Sequence, residues 1–309
     1  MRVAVLLPCY NEETAIGDVV KGFKRAMPDA LVYVYDNNSS DDTVKIAKQA
    51  GAIVRTEPRQ GKGNVVRRMF ADIDADIYIM ADGDGTYETK AAKKLMKALI
   101  DNNADMVVGT RSKDAGDKLY RRGHRFGNRL FNGIVQFIFG QQTTDMLSGY
   151  RAFSRRFVKS FPALAHGFET ETELTIHAGQ LRLPVIEVPT KYFDRAEGSV
   201  SKLSTYKDGF KILSFILFFF KEIKPLGFFS LVAAGFAALS LIAGVPVVLD
   251  YFETGLVERF PTAFLSMGLM LTALVSFICG IILDTVSNGR VEQKRLAYLS
   301  YPSVADTVE

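Results

Sequence analysis

Residues 77–87 read IYIMADGDGTY. Five apolar or small residues run straight into two aspartates separated by one glycine. A short apolar run bounded by turn residues fits a strand buried on both faces. The same pattern recurs upstream: Arg2–Pro8 is apolar and passes into Tyr10-Asn11-Glu12, and Leu31–Tyr35 passes into DNNSSDDT. Ala52–Thr56 and Asp105–Val108 are further short strands.

Helical spacing fills the gaps. Glu12–Met27 places Ile16, Val19, Val20 and Phe23 on one face, Thr43–Ala50 follows Asp41 and Asp42 as capping residues, a third helix opens at about Gly63, and Thr89–Asn102 is a fourth. Strand–helix alternation of this kind predicts an α/β domain with a doubly wound, mostly parallel sheet, whose ligands bind at the carboxyl ends of the strands. The polar clusters Tyr10–Glu12, Asp36–Asn38 and Asp82–Asp84 all fall at such ends. No glycine-rich dinucleotide fingerprint follows the first strand, and the chain has no phosphate-cradling lysine loop of the nucleotide-triphosphatase type.

The last third is different. Leu226–Leu249 and Phe260–Leu283 carry no charged residue. Each is about 24 residues, roughly 36 Å of helix, enough to cross a hydrocarbon core of about 30 Å. Lys207, Lys211, Lys221 and Lys224 precede the first span and Arg290, Lys294 and Arg295 follow the second, whereas the loop between them holds Asp250, Glu253, Glu258 and one arginine, Arg259. The positive-inside rule then predicts both termini and the N-terminal domain on the cytoplasmic face of a cytoplasmic (inner) membrane. No signal peptide is expected at Met1–Leu7, which reads as strand. The segment 207–225 has lysines flanking an apolar middle and suits an interfacial helix. The expected division is therefore 1–206, a catalytic-type domain; 207–225, the interfacial helix; 226–283, a two-helix anchor; and 284–309, a cytoplasmic tail.

Composition narrows the function classes. The net charge of +4 is modest, and nucleic acid is not an expected partner. The basic clusters Lys118–Arg129 and Arg151–Lys159 fit a phosphate-bearing partner or an anionic lipid surface. The two cysteines, Cys9 and Cys279, offer neither a disulfide framework nor metal spacing, and His124, His166 and His177 have no ligand spacing either. Two carboxylates one residue apart after a strand can reach one hard cation and the diphosphate bound to it, which suits Mg2+ or Mn2+.

The segments PCYNE (8–12), YDNNSSDDT (35–43) and DGDGTY (82–87), in this order, resemble family-2 glycosyltransferases of the GT-A fold. More narrowly, Gly109-Thr110-Arg111, Asp145 to Arg151 (DMLSGYR) and Arg195 to Ser204 (RAEGSVSKLS) resemble the polyprenyl-phosphate glycosyltransferases, which include dolichyl-phosphate mannose synthase and bacterial undecaprenyl-phosphate glucosyltransferases. Ser199-Val200 makes the Arg195–Lys202 stretch one residue longer than the archaeal pattern.

The resemblance implies metal-dependent transfer of a hexose from a UDP- or GDP-linked donor to a polyprenyl phosphate, with inversion. It implies that Pro8, Tyr10, Glu12, Asp36, Asp82 and Gly83 bind the nucleotide-sugar and that Asp82 and Asp84 hold the metal. Arg111 would meet the acceptor phosphate, with Arg121 or Arg122; Ser148 would line the acceptor site; Arg195 and Lys202 would sit on a loop over the phosphates. An ionised phosphate attacks without a strong base, so Asp145, Glu169 and Glu171 stand only as candidate bases. Residues 126–140 could guide an isoprenoid tail or form a core helix. An assembly of identical copies is compatible with the architecture. A processive polysaccharide synthase is disfavoured by the lack of any tryptophan; a different lipid acceptor such as diacylglycerol, and a non-catalytic membrane scaffold, are the other readings.

Overall fold

A computed structural model describes residues 1–111, 144–165, 167, 169–193, 218 and 220–307. Arg121, Arg122, Arg195, Lys202, the stretch 126–140 and most of the expected interfacial helix lie outside the described residues. The chain divides into two compact units, one of residues 1–205 with 293–309 and one of residues 206–292.

The first unit is built on a seven-stranded sheet. Its strands are β1 (Val3–Cys9), β2 (Leu31–Asp36), β3 (Ile53–Thr56), β4 (Ile77–Met80), β5 (Met106–Arg111), β6 (Arg151–Ser154) and β7 (Val185–Thr190). The helices are α1 (Ile16–Ala26), α2 (Thr43–Gln49), α3 (Lys62–Asp72), α4 (Ala92–Asp101), α5 (Arg155–Ser160) and α6 (Thr170–Gln180). Spatial order is β3-β2-β1-β4-β6-β5-β7. All neighbours are parallel except β6, which runs against both β4 and β5. The expected doubly wound, mostly parallel sheet is therefore present.

The winding reverses after β1: β2 and β3 lie on one side and β4 on the other. A crevice opens outside the carboxyl ends at such a reversal, so the β1 and β4 ends are the natural ligand positions. Because β6 is antiparallel, its first residue, Arg151, stands at this same edge, paired with Met80 of β4 and Val108 of β5. The core lies between β1, β2 and β4 and the helices over them, with Val5, Leu7, Val34, Ile77 and Ile79 packed against Ile16, Val20, Phe23, Leu95 and Leu99.

The segment 293–309 belongs to this unit rather than forming a separate tail. Val304 is buried in the core. The Tyr298 hydroxyl donates to Asp105 Oδ2 at 3.0 Å, Arg156 grips the same carboxylate at 2.5 and 3.1 Å, and the Ser154 hydroxyl donates to it at 2.8 Å. A fully buried carboxylate is tolerable here because an arginine and two hydroxyls satisfy it.

The second unit contains α7 (Pro225–Thr254) and the start of α8 (Phe260–Leu299), two helices long and apolar enough to cross a membrane. Helix α8 runs without a break beyond Leu283, where the apolar segment ends. Within the unit the two helices meet through small residues. The Ser240 hydroxyl donates to the Ser266 carbonyl at 2.7 Å, and Ser266 returns the bond to the Ser240 carbonyl at 2.9 Å. Gly244 leaves room for the Ser266 side chain, and Gly280 for Phe229. Such close approach is how apolar helices associate where lipid removes the hydrophobic driving force. Leu231, Ile242, Phe252, Phe264, Leu271 and Ile282 point outward and exposed, as a lipid-facing surface requires.

Candidate active site

Four strand ends, those of β1, β2, β4 and β5, build one edge. After β1, Asn11 takes a left-handed conformation (φ 54°), which asparagine tolerates better than most residues. Its amide N–H donates to Ser39 Oγ at 2.9 Å and its side-chain oxygen accepts from Ser40 N at 2.8 Å. The Glu12 N–H donates to Thr43 Oγ1 at 2.8 Å. These bonds tie the β1 loop to the β2 loop, with Tyr10 exposed and Asp36 buried. Asp36 accepts from the Ser39 N–H at 3.2 Å. Pro8 lies in β1 opposite Tyr35. Thus Pro8, Tyr10, Glu12 and Asp36 occupy neighbouring strand ends.

Asn37 organises the next loop. Its Nδ2 donates to the carbonyls of Glu57 and Arg59 at 2.9 and 2.8 Å, and its Oδ1 accepts from Gly61 N at 2.7 Å. Gly61 has φ 126°, a conformation a side chain resists. The held loop delivers Lys62 to the first turn of α3.

At the β4 end, Asp84 is buried and its Oδ1 accepts from the Thr86 N–H at 3.1 Å and the Thr86 hydroxyl at 2.6 Å. Asp82 is half-buried and its Oδ1 is in contact with the Lys62 ammonium. Lys62 also reaches Glu171 Oε1, on α6, at 2.5 Å. Burial works against the charged form of Lys62, but the Asp82 and Glu171 carboxylates outweigh it and hold its pKa above the usual lysine value. Gly83 is required by close approach: a Cβ there would fall inside the Sγ of Cys9 on β1. Gly83→Ala therefore costs about 1–3 kcal/mol through overpacking. A lowered melting temperature, recovered when Cys9→Ala is added, is the expected result; no recovery would place the strain elsewhere.

The β5 end carries Arg111. Asp145 orients it with Nε at 2.8 Å, Nη2 at 2.6 Å and the Arg111 backbone N–H at 3.0 Å. Its guanidinium lies over the Tyr192 ring at 5.6 Å. Asp145, a candidate base, is thus the partner of the arginine. Of the other two candidates, Glu171 pairs with Lys62, and Glu169 Oε1 accepts from the Gly167 N–H at 3.0 Å. Ser148 is buried, its hydroxyl donating to the Gly109 carbonyl at 2.6 Å. Its observed contacts hold the β5 end.

Two residues were given no site role by the sequence reading. Lys62 had a signal, the Gly61-Lys62-Gly63 step at a loop-to-helix junction. Arg151 was read only as part of a basic cluster suited to a phosphate-bearing partner and as the end of the DMLSGYR segment, and the structure gives it a different place. It is fully buried, with Nε on the Ser148 carbonyl at 2.9 Å, Nη2 on the Met146 carbonyl at 2.5 Å and Nη1 on Thr175 Oγ1 at 3.0 Å. Burial draws its pKa down to about 10. It braces the Asp145–Ser148 loop against α6, the helix that supplies Glu171.

Chemically, the edge offers a pair of carboxylates, a buried ammonium between carboxylates and an oriented guanidinium. This set suits a phosphorylated ligand better than an apolar one.

The family described as Glycosyl transferase family 2 matches residues 4–161. The glycosyltransferase AglJ of Haloferax volcanii is 34% identical over 300 residues, covering 96% of this chain and 98% of that protein. The dolichyl-phosphate hexose transferase of the same organism is 30% identical over 213 residues, covering 67% of this chain and 89% of its own length. Glucosyl-3-phosphoglycerate synthase from Mycobacterium tuberculosis, in complex with Mn2+, UDP-glucose and phosphoglyceric acid, shares the fold with a TM-score of 0.52 at 24% identity over 63% of this chain and 72% of that one. With its sheet order, its strand-end acidic pair and these relatives, the chain belongs to the family-2 glycosyltransferases, with a GT-A-type catalytic domain and two candidate membrane-spanning helices.

Proposed function

We propose that the protein transfers a hexose from a UDP- or GDP-linked donor to a polyprenyl phosphate at the cytoplasmic face of the membrane, with inversion at the anomeric carbon. The observation that carries the reading is the placement of Asp82 and Asp84 at the β4 end and of Arg111, oriented by Asp145, at the β5 end of the same sheet edge. One group suits a donor diphosphate and the other an acceptor phosphate. The dolichyl-phosphate acceptor in the name of the Haloferax volcanii relative, and the two apolar helices, support a lipid-linked acceptor.

The donor set fits a divalent cation. Asp82 and Asp84 supply hard oxygens, and among the described residues no cluster of three or more His, Cys, Asp or Glu closes the site. Mg2+ and similar ions use one or two carboxylates and complete their shell with water and substrate phosphate. When bound, the ion would offset the charge growing on the departing diphosphate.

The chain's own residues do the rest. Tyr10 offers a ring face to the nucleobase, Glu12 and Asp36 accept from base or ribose donors, and the backbone at Pro8 and Gly83 permits close approach. Arg111 orients the acceptor phosphate, whose oxygen is already ionised at neutral pH and attacks the anomeric carbon directly. No strong base is needed, which agrees with Asp145 serving its arginine. Arg121, Arg122, Arg195 and Lys202 complete the phosphate contacts in this proposal, and the Ser148 hydroxyl, through Gly109, supports the acceptor side.

The test is transfer of radiolabel from a panel of nucleotide-sugars to undecaprenyl phosphate by membranes holding the protein. Lipid-extractable, phosphate-linked product that disappears on chelation is expected. Label in diacylglycerol, or transfer that survives chelation, would overturn the acceptor or the metal respectively.

A further inference from the structure

We infer that Lys62 is the resident counter-cation of Asp82 and makes loading of a divalent ion conditional on the nucleotide. This rests on the reading of Asp82 and Asp84 as the metal ligands. Three elements distant in sequence converge on one ammonium: Lys62 from the first turn of α3, Asp82 from the end of β4 and Glu171 from the first turn of α6. The Lys62 side chain is 11% exposed and that of Glu171 only 6%. A charge so far from water stays beside a carboxylate, because losing its last partner is strongly unfavourable. Asn37 fixes the loop leading to it, so Lys62 has little freedom to withdraw.

A divalent ion approaching Asp82 therefore meets a positive charge already in contact with Oδ1. Glu171 provides the alternative: the ammonium can rest on Glu171 alone while Asp82 turns to the metal. The added positive charge is then offset by the donor's diphosphate. Bare cation binds weakly, and cation with nucleoside diphosphate binds well. The coupling is reciprocal, each ligand strengthening the other by the same factor. Such an arrangement keeps the acidic pair from holding an ion when no donor is present.

The full-length protein in detergent micelles is titrated with Mn2+, free ion being followed by electron paramagnetic resonance, with and without UDP or GDP. Wild type, Lys62→Met and Glu171→Gln are compared, and thermal unfolding checks each fold. Lys62→Met tightens bare Mn2+ by about tenfold, as removal of a nearby like charge should, and shrinks the gain from nucleotide by a similar factor. Glu171→Gln, which leaves the ammonium with Asp82 alone, weakens bare Mn2+. An unchanged nucleotide gain in Lys62→Met, or unchanged or tighter Mn2+ binding in Glu171→Gln, overturns the inference. Should Lys62→Met fail to fold, the sign of the Glu171→Gln effect decides. Absence of Mn2+ binding by wild type with either nucleotide would instead sink the metal assignment itself.

Discussion

Replacing Asp84 by asparagine lowers sugar transfer by about a thousandfold and abolishes Mn2+ binding in the presence of nucleotide, while the protein remains folded. The choice of asparagine matters. Asp84 Oδ1 accepts two bonds from Thr86, one from the backbone and one from the hydroxyl. An asparagine side-chain oxygen can keep both, so the turn after β4 persists and only the negative charge is lost. Alanine would leave buried donors unpaired and confuse a folding defect with a chemical one. The large effect follows from the proposed role of the charge: Asp84 would help hold an ion that offsets the charge growing on the diphosphate as the glycosidic bond breaks. Steady-state rates, Mn2+ titration and melting temperature measured together check the result. Transfer within tenfold of wild type, with intact fold, would remove Asp84 from the metal site.

Arg111→Lys is the second large effect. It lowers kcat/KM for the lipid acceptor by about a hundredfold and leaves nucleotide binding unchanged. Lysine keeps the charge but not the planar fork that Asp145 engages at Nε and Nη2. An acceptor phosphate then meets a mobile point charge rather than an oriented guanidinium. Asp145→Asn has the same sign with a smaller effect, about tenfold, because the fork survives but loses the charged half of its anchor. The order of the two variants is diagnostic. Equal losses for donor and acceptor in both would mean that the pair is a structural brace between β5 and the 145–148 loop, not an acceptor contact. The comparison uses nucleotide affinity as the internal reference, so a general loss of folded protein is recognised at once.

Much of the fold is legible because it is written locally. The apolar runs of β1, β2 and β4 are short, continuous and followed by Asn, Asp and Gly, so strand, strand end and turn can be read residue by residue. Where the local pattern is ambiguous the boundaries move. Helix α1 begins at Ile16 rather than Glu12 because Asn11 is left-handed and the Glu12 N–H donates to Thr43 of α2, while the Glu12 carbonyl accepts from the Ala15 and Ile16 N–H groups in the turn that leads into the helix. Strand β5 extends to Arg111 because β7 pairs with it as far as Thr190, a partner no window of sequence contains. The apolar segment after Phe260 marks its end at Leu283, yet the helix continues to Leu299, since polar residues with good helical propensity propagate a helix already begun.

The doubly wound sheet, the acidic pair at its edge, the two apolar helices and the family resemblance are legible from short stretches of chain, because periodicity, turn chemistry and charge are properties of neighbouring residues. Which charges meet depends instead on how distant elements pack. Asp82 turned out to share Lys62 with Glu171, Asp145 to hold Arg111, Arg151 to be buried on carbonyls, and Asp105 to be satisfied from a tyrosine nearly two hundred residues away. Each of these contacts joins elements that the packing of the domain, not their order in the chain, brings together. A buried charge takes the partner that packing places beside it, and the linear spacing of the chain carries no record of that choice.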